Sequence, residues 1–166
     1  MQFILILLRL VHIVAGTFWA GSALMLGLII LPQMRKSGAG SERALPMAQL
    51  SQAMGIASLL TIVAGSLLYW FVSRFSWAWI TSSTGIGFTI GSLVGIVAFL
   101  IGYFSTGATA DKIAALGAQM QAAGGPPQPE QIAEMARLQA KIATSSKWGT
   151  ILTTTSLILM SVARYL

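Results

Sequence analysis

The chain has 166 residues, of which 55% are hydrophobic and 8% charged, where a soluble domain carries about 25% charged residues. That balance, with a mean hydropathy of +0.78, excludes a soluble fold and predicts an integral membrane protein with a single membrane domain over 1–166. Ten Lys and Arg against four Asp and Glu give a net charge of +6; these charges lie in loops beside apolar segments, which predicts topology signalling rather than nucleic-acid binding.

A bilayer span needs about 20 largely apolar residues. Four segments qualify as candidates, at about 3–31, 54–72, 85–105 and 149–163. The first lacks a basic leader and is longer than a signal-peptide core, so it is read as a retained helix. It contains Arg9 and His12, three residues apart and therefore neighbours on one helix face. Trp19 returns to that face seven residues later, with Gly16 and Ala23 beside it, and this face is expected to point inward.

The loop after the first span carries Arg35, Lys36 and Arg43. The second loop, 71–79, carries Phe71, Phe75, Trp77 and Trp79 and reads as an aromatic belt. In the third span Gly87, Gly91 and Gly95 recur every four residues, a pattern that lets helix backbones approach closely in lipid. The third loop, about 106–147, is rich in Ala, Gln and Lys. Two helical stretches, 108–122 and 129–146, flank a Gly124-Gly125-Pro126-Pro127 turn. Ile113, Leu116 and Met120 form one apolar stripe, and Ile132, Met135, Leu138 and Ile142 a facing one. An antiparallel hairpin extending roughly 20–25 Å from the membrane is predicted.

Seven basic residues in the first and third loops face three elsewhere, Arg9, Arg74 and Arg164. The positive-inside bias then makes loops 1 and 3 cytoplasmic and puts both termini on the outer side of the cell's inner membrane. Trp148 marks the inner interface.

The chain has no cysteine and one histidine. Disulfides, thiolate metal sites and cysteine nucleophiles are excluded, and a three-histidine zinc site cannot form within one chain. No catalytic set is legible, and the reading is non-enzymatic. His12 has two readings. It is either a neutral imidazole bonded to a hydroxyl of the fourth span, Thr155 or Ser156 being at matching depth, or a ligand for haem iron or copper. Arg9 either pairs with haem propionates or extends to the outer headgroups. Membrane carboxylates and internal repeats are missing, which disfavours a transporter.

The stretch LRLVHIVAGTFWAGSALMLGLIILP, starting at Leu8, resembles the first helix of the copper-resistance D-like (CopD-like) membrane proteins, with His12, a Trp seven later at Trp19 and a Gly at Gly21. The Gly-rich third span, the charged loop and the ending ILTTTSLILMSVARYL are similar to small four-helix members of that superfamily. The resemblance implies an all-α antiparallel bundle of four transmembrane helices. A four-helix haem-binding membrane oxidase family opens with a similar helix, and likeness to it implies haem b at His12. The expectation is a small CopD-like membrane protein binding haem or a metal through His12, with Arg9 and Trp19 beside it. The alternative is a non-catalytic accessory or assembly subunit of a respiratory or photosynthetic complex. Expected partners are the lipid bilayer and either other membrane subunits or a second copy.

Overall fold

The computed structural model describes residues 2–33 and 47–166. It is all-helical, with no strand among the described residues. The first-loop residues Arg35, Lys36 and Arg43 lie outside the described residues.

Helix α1 is Gln2–Met25 and continues through a π-helical segment, Leu26–Ile30, to Gln33. The widened turn has a local cause. Pro32 has no N–H, and its ring crowds the carbonyl four residues back. Here the Leu31 N–H reaches the Leu26 carbonyl, five residues away. Helix α2 is Met47–Ser73. A tight connection follows in which Arg74 and Phe75 both adopt positive φ, 46° and 54°, with the Ser73 hydroxyl accepting the Phe75 N–H at 3.1 Å. A single turn, Trp77–Ile80, leads to α3, Ser83–Ile101. Ser82 caps α3 by accepting the Gly85 N–H at 3.1 Å. Gly85 sits against the Trp79 carbonyl, where any Cβ would collide.

A second π-helical segment, Gly102–Gly107, joins α3 to α4, Ala108–Ala122, so that Ser83–Ala122 is one continuous helical run. After a turn with Gly124 at φ +64°, α5 runs unbroken from Pro129 to Val162. Pro129 occupies its first turn, where a missing N–H costs nothing. Gln131 accepts the Gln128 backbone N–H at 3.0 Å and closes the cap. The chain ends in a short 3-10 turn, Ala163–Tyr165.

The four long helices pack side by side as two close pairs, α1 with α2 and α3 with α5; α1 also touches α5, and α2 touches α3. The interior is narrow. Ala15, Trp19, Ala57 and Ala98 form its centre, with Met54, Ile62, Phe99 and Leu152 packed around them. Most large apolar side chains of α1, α2 and α3 point outward instead, among them Ile13, Phe18, Leu60, Val63, Leu93 and Val97. That inversion is what a hydrocarbon surrounding requires.

Three runs are long and apolar enough to cross a membrane, Gln2–Gln33, Gln49–Ser73 and Ser83–Ala122. The expectation of four spans is therefore met only in part. The apolar part of α5 is short and rich in hydroxyls, with Thr150, Thr153, Thr154, Thr155 and Ser156 inside it. Fifteen residues at 1.5 Å each reach about 22 Å, less than the roughly 30 Å hydrocarbon core.

The hairpin forms from α4 and the first half of α5. Leu138 is its anchor, 3% exposed, whereas Ile132 is 56% exposed and takes no part in the facing stripe. Ile132 lies in the first turn of α5, next to the 123–128 turn at the tip of the arm.

Candidate functional site

Helix α1 brings His12 to the α2 side. His12 is half-buried, Trp19 is buried and Arg9 is exposed. The His12 Nδ1 lies 2.9 Å from the backbone carbonyl of Thr61 on α2. A carbonyl only accepts, so Nδ1 carries the proton, and in the neutral ring Nε2 retains its lone pair. The ring rests on Gly65: a Cβ there would fall 2.7 Å from His12 Cε1 and 2.8 Å from Nδ1. Gly16, one turn further along, lets the Thr61 methyl group come close; a Cβ at Gly16 would lie 3.4 Å from it. The Thr61 hydroxyl itself donates to the Ala57 carbonyl at 2.7 Å.

This corrects the expected partner. Thr155 and Ser156 do not hold His12. The Thr155 hydroxyl turns back to the Ile151 carbonyl, and Ser156 donates to the Gly91 carbonyl at 2.8 Å. The reason lies in the pairing: α1 packs chiefly on α2, while the hydroxyl-rich end of α5 serves α3. The glycines of α3 are buried against α5. A Cβ at Gly87 would lie 2.8 Å from the Ala163 Cβ, one at Gly91 3.3 Å from the Leu159 Cβ, and one at Gly95 2.9 Å from the Ser156 Oγ.

For metal chemistry the donor set is short. No group of three or more His, Asp or Glu side chains comes together among the described residues. The chain offers one imidazole nitrogen, Nε2 of His12, held in orientation by the bond its other nitrogen makes. That arrangement is the usual second contact of a metal-bound histidine. Such a nitrogen could serve as one donor to a haem iron, and would leave the other ligands of a bare copper ion to be supplied from elsewhere.

The opposite end of the molecule has features that the sequence reading missed. Both π-helical segments face α5 within two turns of one another. At the first, the Thr150 hydroxyl donates to the Ala23 carbonyl at 3.0 Å, and Gly27 leaves the space that Thr150 occupies. At the second, the Thr106 hydroxyl donates to Ser145 Oγ at 3.1 Å. A cleft opens beside each. One of about 310 Å³ is bounded by Gly27, Leu31, Pro32, Lys147 and Thr150. The other, about 540 Å³, is bounded by Ile101, Ser105, Lys141, Thr144 and Trp148. Neither touches His12. Lys141, Thr144 and Trp148 stand three and four residues apart, a helix-face spacing visible in the sequence; the π turns opposite them are not.

On the arm, Glu134 and Arg137 form a two-pronged ion pair with N–O distances of 2.7 and 2.8 Å. The hydrogen bonds from Arg137 hold the Glu134 carboxyl below its ordinary value, and the same bonds raise the guanidinium. The aromatic loop divides: Trp77 and Phe75 are exposed, whereas Trp79 packs edge-on to Tyr69 and stacks on Phe88.

No protein-family model, curated protein or solved structure matches this chain. What fold and site define is a helical protein with three helices suited to crossing a membrane and one oriented histidine on the first.

Proposed function

We propose that this chain is a small integral membrane protein of copper-resistance D-like type that presents His12 as a single-nitrogen ligand to haem iron or a metal ion. The observation that supports this is the 2.9 Å contact between His12 Nδ1 and the Thr61 carbonyl, which fixes the ring and leaves Nε2 as the basic nitrogen. A haem held there supplies one-electron chemistry. The chain's own part is to orient the imidazole and, through the exposed Arg9 one turn nearer the N-terminus, to offer a cation to the carboxylates of such a ligand. In this reading α5 completes a bundle of four membrane helices, both termini lie outside, and the arm is cytoplasmic.

The test is spectroscopic. Haem b is titrated into the detergent-purified protein, and the expected result is a Soret shift that saturates and is absent in His12→Ala. Arg9→Gln should weaken haem binding and leave copper binding unchanged. Full haem or copper occupancy in His12→Ala would end the proposal. The topology is checked with single cysteines in this cysteine-free chain. A thiol at Ser76 should react with an impermeant reagent in intact cells, and one at Gln128 should not.

The one-nitrogen donor set favours a second reading, a non-catalytic accessory or assembly subunit of a larger membrane complex. A colourless, metal-free preparation that copurifies with defined membrane subunits would put that reading first.

A further inference from the structure

The larger cleft at the basic end lies between the π turn of α3 and one face of α5. From α5 it takes Lys141, Thr144 and Trp148; from the opposite wall it takes Ile101 and Ser105. Its chemistry is graded along the helix axis. Trp148 and Ile101 make the wall nearer the apolar half, and Lys141 stands at the polar mouth, seven residues or about 10 Å beyond Trp148. No acidic residue lines it. The one ion pair among the described residues occupies Glu134 with Arg137, so Lys141 has no carboxylate partner there. Ser105 is half-buried and its hydroxyl makes no hydrogen bond among the described residues, whereas the Thr144 hydroxyl proton is committed to the Ala140 carbonyl at 3.1 Å.

We propose that this cleft binds the phosphate of an anionic phospholipid, with Lys141 Nζ and the Ser105 hydroxyl donating to the phosphate oxygens and Trp148 and Ile101 lying against the glycerol and first acyl carbons. The charge complementarity is direct: an ammonium and a hydroxyl without partners among the described residues meet an anion. The depth matches as well. An indole prefers the boundary of the hydrocarbon, and phosphates lie several ångströms further out. A basic recess between membrane helices is a setting in which headgroups are held. The recess lies beside the π turn Gly102–Gly107, to which its lining residue Ser105 belongs. The proposal goes beyond the His12 reading and does not rest on it.

The experiment reconstitutes the full chain in phosphatidylcholine vesicles containing brominated phosphatidylglycerol or, separately, brominated phosphatidylcholine. Quenching at Trp148 is read as the difference between the unchanged protein and Trp148→Phe. The expected preference for the glycerol lipid is about fivefold, the effect of one lysine near a charged surface. It should fall to near parity in Lys141→Gln and persist in Lys141→Arg, with melting unchanged because Lys141 is exposed. Lys112→Gln, an exposed lysine on α4 that lines neither of the two clefts described, should retain it. Equal quenching by both lipids, or equal losses in Lys112→Gln and Lys141→Gln, would overturn the proposal. Loss of the preference when inorganic phosphate is added would assign the cleft to free phosphate and also overturn it.

Discussion

Gly95 and Ser156 form a contact whose energetics can be worked through. The Ser156 hydroxyl donates to the Gly91 carbonyl at 2.8 Å. A methyl group on residue 95 would sit 2.9 Å from that same oxygen and 3.8 Å from the Ser156 Cβ. Only the hydroxyl is in the way, since 3.8 Å is ordinary contact. Gly95→Ala must therefore displace the hydroxyl and break the interhelical bond, at about 0.6–1.7 kcal/mol for polar contacts between membrane helices. Against this, Ala is up to about 1 kcal/mol better than Gly inside a helix. The net change expected for Gly95→Ala is a loss of roughly 0–1 kcal/mol. Ser156→Ala alone loses the same bond, about 0.6–1.7 kcal/mol. In the double variant the bond is lost once and the propensity gain is kept. The two changes should thus be less than additive by about 0.6–1.7 kcal/mol, with the double variant near the parent. Gly55→Ala, where a methyl group meets nothing within 4 Å, measures the propensity contribution in this protein. Unfolding in mixed micelles with increasing dodecyl sulfate, followed by near-ultraviolet circular dichroism, gives all four values. Strict additivity of Gly95→Ala and Ser156→Ala would refute the reasoning, because two changes that break one bond cannot each cost its full value.

Three further outcomes follow from single contacts. Thr150→Val should cost about 0.6–1.7 kcal/mol in the same assay by removing the bond to the Ala23 carbonyl, and Thr150→Ser should retain it; equal stability for the two variants would show that the hydroxyl is idle. Leu138→Asp should open the arm to proteolysis around 123–128 while Ile132→Asp leaves the digestion pattern unchanged, as their exposures of 3% and 56% require; equal cleavage in both would contradict the packing. Phe75→Gly should stabilise the protein by about 1 kcal/mol, because a left-handed backbone at φ 54° costs a side-chain-bearing residue about that much; a lower melting temperature in detergent would show that the Phe75 ring outweighs the backbone strain.

Much of the helix layout was legible because its causes are local. Apolar runs, the Gly-Gly-Pro-Pro turn and Pro129 mark the ends of α3–α4 and α5 through properties of a few adjacent residues. The face shared by His12 and Trp19 followed from helix periodicity, and the buried Trp19 and half-buried His12 share one side of α1. The pairing of helices was not legible. Depth along the bilayer pointed to Thr155 or Ser156 opposite His12, and only the tertiary arrangement set the imidazole over Gly65 and Ser156 under Gly91. The π turns were hidden for a similar reason. Each lies beside a hydroxyl contact with α5, Thr150 to the Ala23 carbonyl and Thr106 to Ser145, and no helix periodicity encodes such a contact. The fourth span is less plainly written, because the apolar part of α5 is short and rich in small hydroxyl residues and does not stand with the three runs that are long and apolar enough to cross a membrane.

The unbroken course of α5 has a mechanical meaning. Its 34 residues make a straight strut of about 50 Å, shared between the polar arm and the apolar bundle. The helical run beside it is jointed, since α3 and α4 meet at a π turn bounded by Gly102 and Gly107. A force applied at the tip of the arm meets one rigid member and one with a flexure point. The arm should therefore swing by bending at Gly102–Gly107, whereas a twist applied to α5 would be delivered whole to its far end, where Ser156, Leu159 and Ala163 mesh with the glycines of α3.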